Sequence, residues 1–167
     1  MHHVFLGIGG NIGNKPASFS KVHSLIEREI GTISKQSSVY ESPPWGFHAE
    51  DNFWNQVLIV ETELSPAEIL SKITKIESSF NRKRHSERYT SREMDVDIIY
   101  YDDIFIETGD LIVPHQRLHQ RLFVLVPLAE VAPNFKHPLF RMTSKQLLEN
   151  CKDVSVIKKL NVSFCCN

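Results

Sequence analysis

Cysteines and long hydrophobic runs are both scarce in this 167-residue chain. The three cysteines, Cys151, Cys165 and Cys166, are odd in number and lack the spacing of a zinc site. They therefore argue against a scaffold held together by disulfides or zinc. No apolar stretch is long enough to cross a membrane, and the first residues lack the apolar core of a signal peptide. From these absences we expect a cytoplasmic protein without a membrane partner.

An excess of charge of either sign is also absent. The 19 lysines and arginines nearly balance the 20 acidic residues, which weakens any general affinity for nucleic acid. The chain has no linker, low-complexity segment or internal repeat, and no serine nucleophile elbow, helical metalloprotease motif or zinc deaminase signature. We expect a single domain over residues 1–167 that performs none of these hydrolase reactions.

The order of secondary-structure elements indicates the fold class. Apolar patterning predicts strands over residues 4–8, 33–41, 53–64 and 94–101, and helices over residues 19–30 and 65–80. The run at 57–60 is apolar throughout, which predicts burial on both faces of a sheet. The order β-α-β-β-α-β predicts a ferredoxin-like α+β sandwich, with a mostly antiparallel sheet and helices packed on it.

Two short motifs mark the ends of predicted elements. The turn Gly9-Gly10-Asn11 after the first strand matches neither the dinucleotide fingerprint nor the phosphate loop, so we interpret it as a tight strand-to-helix turn. The segment Ser65-Pro66-Ala67-Glu68 is a capping box with proline at the first helical position, and it predicts where the second helix begins.

Two aspartates interrupt the otherwise apolar strand at 94–101. Alternate strand residues share a face, so Asp95 and Asp97 point the same way. The opposite face is predicted to carry Met94, Val96, Ile98 and Tyr100. Paired carboxylates repel each other unless a divalent cation or arginines compensate them, and carboxylate-bound Mg²⁺ usually accompanies substrate phosphates. The pair therefore indicates either a Mg²⁺ platform or a solvated strand end.

A cluster of cations directly precedes the aspartates. Its members are Arg82, Lys83, Arg84, Arg88 and Arg92, with Glu87 as the one acid among them. The polar composition predicts a mobile loop, and such loops commonly close over reacting phosphates. A charge run can also be a solvated surface or a nucleic-acid patch. Its position beside the two carboxylates favours phosphate chemistry, with arginines on one side and metal on the other.

Aromatic and polar residues elsewhere suggest a site for a flat ring. Phe53 and Asn55 share a strand face, so one can stack on a ring while the other binds its polar edge; the alternative is a core phenylalanine beside a strand asparagine. His115 and Arg121 can contact phosphate, and Phe123 can supply a second stacking face. Taken singly, a lone histidine is more often structural, and an arginine before an apolar run often belongs only to a helix surface.

Together, these motifs resemble the 6-hydroxymethyl-7,8-dihydropterin pyrophosphokinase family of folate biosynthesis. The signature segment is Arg88-Tyr89-Thr90-Ser91-Arg92-Glu93-Met94-Asp95-Val96-Asp97-Ile98-Ile99. The other matching segments, in chain order, are Gly9-Gly10-Asn11, Tyr40-Glu41-Ser42-Pro43-Pro44-Trp45-Gly46, Phe53-Trp54-Asn55, Ile76-Glu77, Val113-Pro114-His115 and Arg121-Leu122-Phe123. The resemblance therefore spans nearly the whole chain.

The resemblance implies an activity that residue patterns alone do not reach, since those indicate only Mg²⁺-dependent transfer from a nucleotide. The family transfers the β,γ-pyrophosphoryl unit of ATP to the pterin hydroxymethyl group and releases AMP. By resemblance, Asp95 and Asp97 bind two Mg²⁺ ions, and Arg82 and Arg92 neutralise the developing charge. The expected partners are ATP and the pterin, with no nucleic acid, and the expected state is a monomer.

The resemblance also implies ligand contacts. Those assigned to ATP are Glu77, Arg84, Arg88, Tyr89, Ile98, His115 and Arg121. Those assigned to the pterin are the sandwiching Phe53 and Phe123, with Ser42, Pro43, Trp45 and Asn55 at its polar edge. Tyr89 and Thr90 replace a tryptophan and a small residue common in the family, and Asp110 and Gln116 replace a cation and a tyrosine of some relatives. A ferredoxin-like nucleic-acid module is the alternative, but paired aspartates would repel a phosphate backbone.

Overall fold

The computed structural model describes residues 1–80 and 91–164. In chain order, its strands and helices are β1 (His2–Gly10), α1 (Lys15–Glu29), β2 (Thr32–Gln36), β3 (Tyr40–Ser42), β4 (Phe53–Thr62), α2 (Pro66–Ser78), β5 (Asp95–Tyr101), β6 (Ile106–Glu107), β7 (Ile112–Val113), α3 (Leu122–Val131), α4 (Ser144–Glu149) and β8 (Lys158–Lys159). The predictions for Arg82, Arg84, Arg88, Tyr89, Thr90, Cys165 and Cys166 lie outside the described residues. No helix in the described ranges is long and apolar enough to span a membrane.

The main sheet has the strand order β5-β1-β4-β3-β8, with β2 pairing along another part of β4. Each of these pairings is antiparallel. The α+β ferredoxin-like prediction is therefore confirmed. The single strand predicted over 33–41 is wrong in one respect, because Ser37 separates β2 from β3. The Ser37 hydroxyl oxygen accepts a hydrogen bond from the Val57 N–H of β4 at 3.0 Å, and this interrupts the regular ladder.

Apolar side chains fill the space on both faces of the sheet. Helices α1 and α2 cover one face, and their core includes Val4, Leu6, Phe19, Ile26, Leu58, Val60, Ile69 and Ile73. Helices α3 and α4 cover the other, where the core includes Phe5, Val57, Ile59, Ile99, Tyr100, Leu125, Leu128 and Leu147. Residues 57–60 thus alternate between two buried faces, which confirms the prediction from their continuous apolar character.

A bulge in the β1–β5 pairing changes which way β5 side chains point. Phe5 pairs with Tyr100 and Leu6 pairs with Ile98, so Ile99 is the extra residue. Beyond the bulge, Tyr100 belongs to the core under α3, while Ile98 stays in the core under α1 and α2. The prediction that Tyr100 shares a face with Ile98 is therefore wrong. The regular alternation holds only for the first residues of β5.

Local capping interactions define where two helices begin. The Asn14 side chain accepts a hydrogen bond from Ala17 N at 3.1 Å and caps α1. At α2, Ser65 and Glu68 form the reciprocal capping box, as predicted. These caps fix the first residue of each helix, and the apolar stripes of both helices pack against the sheet. Helix α2 then runs beside β5 towards the paired aspartates.

Candidate active site

A cavity of about 360 Å³ lies over the ends of β1, β4 and β5. Every predicted site residue that the structure describes lines it, with the exception of Ile98. Those residues are Ser42, Pro43, Trp45, Phe53, Asn55, Glu77, Arg92, Asp95, Asp97, His115, Arg121 and Phe123. The Ile98 side chain lies instead in the core under α1 and α2. A contact between ATP and Ile98 would therefore have to use the Ile98 backbone.

Two glycines of β1 keep the floor of the cavity open beside the aspartates. Gly9 pairs with Asp95 and Gly7 pairs with Asp97. A Cβ on Gly9 would lie 3.1 Å from the Asn55 amide oxygen, and one on Gly7 would lie 3.2 Å from Cδ1 of Ile99. Sequence reasoning missed these lining residues. Their signal was the spacing of two glycines at i and i+2 of a strand, which puts both on one face.

The carboxylates of β5 lie in an environment with surplus negative charge. Removal from bulk water inside the cavity raises the pKa of Asp97 well above its usual range, and the charges of Asp95 and Glu77 raise it further. The Asp97 side chain is still open to the cavity, so a cation can reach it. Arg92 pairs with Asp95, with Nη1 and Oδ2 2.9 Å apart.

The side chains of Asp95 and Asp97 fit a Mg²⁺ ion. Their carboxylate oxygens are the hard donors that Mg²⁺ prefers, and a divalent cation would offset the repulsion between the two charges. In the described ranges, no three His, Cys, Asp or Glu side chains form a ligating group. A cation held here would consequently keep coordination positions for water or for phosphate oxygens. That combination is the usual one for Mg²⁺ at a nucleotide site.

Glu77 connects helix α2 to the aspartate strand. Its carboxylate is buried and accepts a hydrogen bond from the Val96 N–H at 3.1 Å. This bond fixes β5 between the two aspartates, and the Glu77 charge adds to the field at Asp97. Leu70 and Thr74 of the same helix also line the cavity, and sequence reasoning missed both. Their helical spacing from Glu77 was the available signal.

His115 is held in a defined tautomer on the cavity wall. Its backbone N–H donates to Ile99 O at 3.0 Å, and its ring Nδ1 accepts from the Arg117 N–H at 3.2 Å. Because a backbone N–H only donates, we assign the ring proton of neutral His115 to Nε2. Burial, followed by the charges of Arg121 and Arg117, lowers the His115 pKa to about 4. His115 is therefore a neutral donor at pH 7.

Aromatic rings form a second part of the cavity wall, the aromatic end. The Arg121 guanidinium carbon lies 4.6 Å from the centre of the Trp45 ring and 5.5 Å from that of Phe123. Phe47 contacts Phe53 edge to face at 5.9 Å. Phe53 lines the cavity and belongs to neither core cluster, so the alternative reading of Phe53 as a core residue is wrong.

The orientation of the Asn55 amide follows from its partners. Its nitrogen donates to Ser42 Oγ at 2.8 Å and to Tyr40 O at 3.3 Å. A carbonyl only accepts, so the nitrogen must face Tyr40 and the amide oxygen must face Gly9. This oxygen is a buried acceptor beside the aromatic rings, suited to the N–H edge of a heterocycle.

The chain matches the model of the family described as 7,8-dihydro-6-hydroxymethylpterin-pyrophosphokinase (HPPK) over residues 5–133. It belongs to this family. Membership makes the chain a pyrophosphokinase, a transferase of folate biosynthesis, as the resemblance implied. The match ends before α4 and β8, so the last part of the fold lies beyond the family model.

Individual relatives agree with the family match. The 2-amino-4-hydroxy-6-hydroxymethyldihydropteridine pyrophosphokinase of Aquifex aeolicus is 40% identical over 166 residues, covering 99% of this chain and 98% of that protein. The Bacillus subtilis enzyme of the same name is 37% identical over 129 residues, covering 77% of each. The solved Plasmodium falciparum HPPK-DHPS structure with pteroate is 14% identical with a TM-score of 0.74, covering 89% of this chain and 44% of that one. It supports the fold alone.

Proposed function

We propose that this protein transfers the β,γ-pyrophosphoryl group of ATP to the hydroxymethyl oxygen of 6-hydroxymethyl-7,8-dihydropterin. The observation that carries the proposal is one cavity with the paired carboxylates of β5 and a buried amide oxygen among aromatic rings. The pterin oxygen forms a bond to the β-phosphorus while the bond from that phosphorus to the α–β bridging oxygen breaks. The products are the pterin diphosphate, AMP and a proton. The monomeric state and cytoplasmic location stay predictions.

The aromatic end of the cavity suits the pterin ring. Phe53 and Phe123 supply the stacking faces, and the Asn55 oxygen accepts from a ring N–H. Ser42 holds the Asn55 nitrogen, so it acts on the pterin through that amide. Pro43 and Trp45 close the edge of the slot. In this proposal the hydroxymethyl group points towards the carboxylates of β5.

The carboxylate end suits the triphosphate. Asp95 and Asp97 would hold Mg²⁺, and we retain the expectation of two ions. When bound, the metal would neutralise part of the negative charge of the phosphates. Arg92 lies beside these carboxylates, while His115 Nε2–H and Arg121 are donors for phosphate oxygens. Positioning and charge neutralisation account for most of the catalysis of phosphoryl-type transfer, so the chain needs no covalent nucleophile.

The nucleotide product tests the proposal. The protein is incubated with Mg²⁺, ATP and the reduced hydroxymethylpterin, and the nucleotides are separated by chromatography. We expect AMP in equal amount to the pterin diphosphate. Release of ADP would indicate ordinary kinase chemistry, and an absence of any pterin-dependent product would contradict the proposed substrate. Chelation of the metal with EDTA should stop the reaction.

The variant Asp97→Asn tests the metal site. It replaces a charged carboxylate ligand of the metal with a neutral amide. We therefore expect kcat to fall by about 10²–10³-fold, the scale seen on loss of a key electrostatic group. The stability without metal should not fall, because the raised pKa of Asp97 means that its charge opposes folding. Mg²⁺ should raise the melting temperature of the wild type more than that of the variant. Asp103→Asn, an exposed carboxylate beyond the end of β5, is the matched control. Near-normal turnover in Asp97→Asn would exclude the metal assignment.

A further inference from the structure

Asn11 is a fully buried polar residue directly after β1, with 0% of its surface exposed. Its amide oxygen accepts from the Arg92 N–H at 2.9 Å. Its amide nitrogen donates to Ser91 Oγ at 3.1 Å and to Asp51 O at 3.3 Å. One side chain therefore joins two loops that are about 40 residues apart in the sequence.

The geometry leaves only one orientation for this amide. Arg92 N–H can only donate and Asp51 O can only accept, so the oxygen must face the first and the nitrogen the second. The backbone N–H of Asn11 also donates to Arg92 O at 2.9 Å, so Arg92 is held at both its N–H and its carbonyl. Gly10 permits this approach, because a Cβ there would lie 2.2 Å from Glu93 O.

Both loops carry residues that line the cavity. The loop after β3 contains Trp45 and Phe47, which line the aromatic end. The segment before β5 contains Arg92, whose guanidinium pairs with Asp95. Asn11 itself does not line the cavity, so it can influence ligands only through the segments that it holds.

We propose that Asn11 is a positioning residue that sets the Arg92 guanidinium relative to the carboxylates and ties that setting to the aromatic loop. The proposal rests on the proposed function, in which Arg92 stabilises the charge of the transferred group. Rates of group transfer depend steeply on the position of such a charge. Loosening the Arg92 backbone should therefore lower kcat more than it raises the KM for either substrate.

A double-mutant cycle tests this role. Wild type, Asn11→Ala, Arg92→Ala and the double variant are compared by kcat, by KM for ATP and pterin, and by melting temperature. We expect Asn11→Ala to lower kcat about 10- to 100-fold, the scale for a misplaced catalytic group. In the Arg92→Ala background the same change should cause little further loss of kcat, because no guanidinium is left to position.

Asn14→Ala is the matched control for lost stability. Asn14 lies in the same turn, and its side chain caps α1 by accepting a hydrogen bond from Ala17 N rather than from the Arg92 segment. It should lower the melting temperature and leave kcat unchanged. If Asn11→Ala behaves in the same way, Asn11 is merely structural and the proposal fails. Equal losses of kcat from Asn11→Ala in the wild-type and Arg92→Ala backgrounds would also overturn it.

A second variant remains informative if Asn11→Ala does not fold. Asn11→Asp keeps an acceptor for the Arg92 N–H but cannot donate to Asp51 O. Relative to the wild type, we expect a lower kcat and a higher KM for the pterin, because the aromatic loop is released. Unchanged kcat and pterin KM would contradict the proposal. Failure of the proposed function would be recognised separately, because the wild-type protein itself would then release no AMP.

Discussion

Asp97 and His115 lie in the same cavity, and burial shifts the pKa of each towards its neutral form. The pKa of Asp97 is raised and that of His115 is lowered to about 4. Each shift is the kind that a ligand of opposite charge reverses, because a cation lowers a carboxyl pKa and a phosphate raises an imidazole pKa. Under the proposed function, Mg²⁺ and the triphosphate would therefore reverse both shifts. Both shifts depend on the cavity and could not be read from the residue types.

At the residue scale, buried histidines should reduce stability in mild acid, and His115 and His137 should contribute most. Burial lowers the pKa of both His115 and His137 from 6.5 to about 4. Between these values the unfolded chain binds more protons than the folded one, so the free energy of unfolding should fall as the pH drops from about 6.5 towards 4. Denaturant unfolding at several pH values measures this slope.

A variant of His137 separates the contribution of this histidine to the pH dependence of stability from the contributions of other groups. His137 Nδ1 accepts from the backbone N–H groups of Leu139 and Phe140, and the amide oxygen of His137→Asn, which lies at the same δ position, can do the same without titrating. The variant should show a shallower loss of stability in this pH range. Asp97, whose raised pKa acts with the opposite sign, is unchanged in it. His48→Asn, in an exposed loop, is the matched control; a profile as steep as that of the wild type in His137→Asn would contradict the assignment.

At the scale of elements, the turn after β1 has a second role in addition to the one predicted. The sequence indicated only a tight strand-to-helix turn, and Gly13 with φ of 77° supports that part. Gly10, however, is needed for the close approach of the backbone at Arg92 and Glu93, which lies far along the chain. The turn is thus also the docking point for the start of β5.

The substitution Gly10→Ala tests this docking contact. The added Cβ would lie 2.2 Å from a carbonyl oxygen, so the segment before β5 must move. We expect a loss of about 1–3 kcal/mol in the free energy of unfolding, as for other overpacked positions. Gly109→Ala is the control, since nothing lies within 4 Å of its Cβ. Chemical denaturation compares the two; equal stability would show that the turn adapts freely.

At the scale of the whole molecule, the end of the described chain crosses from one face of the sheet to the other. After α4, strand β8 pairs with β3, and Leu160 N donates to Val39 O at 2.9 Å. Phe164 then stacks on Phe19 of α1, with ring centres 5.6 Å apart. This segment lies beyond the family match and covers the outer edge of β3, which carries Ser42.

A chain that ends at Ile157 tests the contribution of this segment. It lacks β8 and Phe164, so β3 becomes an edge strand and Phe19 loses its stacking partner. We expect a lower melting temperature and a higher KM for the pterin, with a smaller change in the KM for ATP. Thermal unfolding and steady-state kinetics measure these effects. Val156→Ser, whose position is 81% exposed, is the control, and unchanged pterin kinetics in the shortened chain would refute the link to Ser42.

Much of the fold could be predicted because its signals are local. The Ser65–Glu68 capping box and the apolar run at 57–60 depend on neighbouring residues, and both predictions were confirmed. The break at Ser37 and the bulge at Ile99 were not predicted, since each depends on pairing with a distant strand. In the site, the spacing of Asp95 and Asp97 was enough to predict that they share a strand face. The role of Gly7 and Gly9 is evident only from their pairing with Asp97 and Asp95 in the sheet.

The amino-acid sequence by itself determined most of the strands and helices up to β5, the family and the shared face of the two aspartates, because periodicity and motif spacing are properties of the chain. Only the tertiary structure decided that the carboxylates, His115 and the aromatic rings line one cavity. It alone determined their altered pKa values and the Asn11 contacts to two loops. The physical reason is that burial, electrostatic fields and close backbone approach arise between distant segments. They exist only after the sheet has brought those segments together.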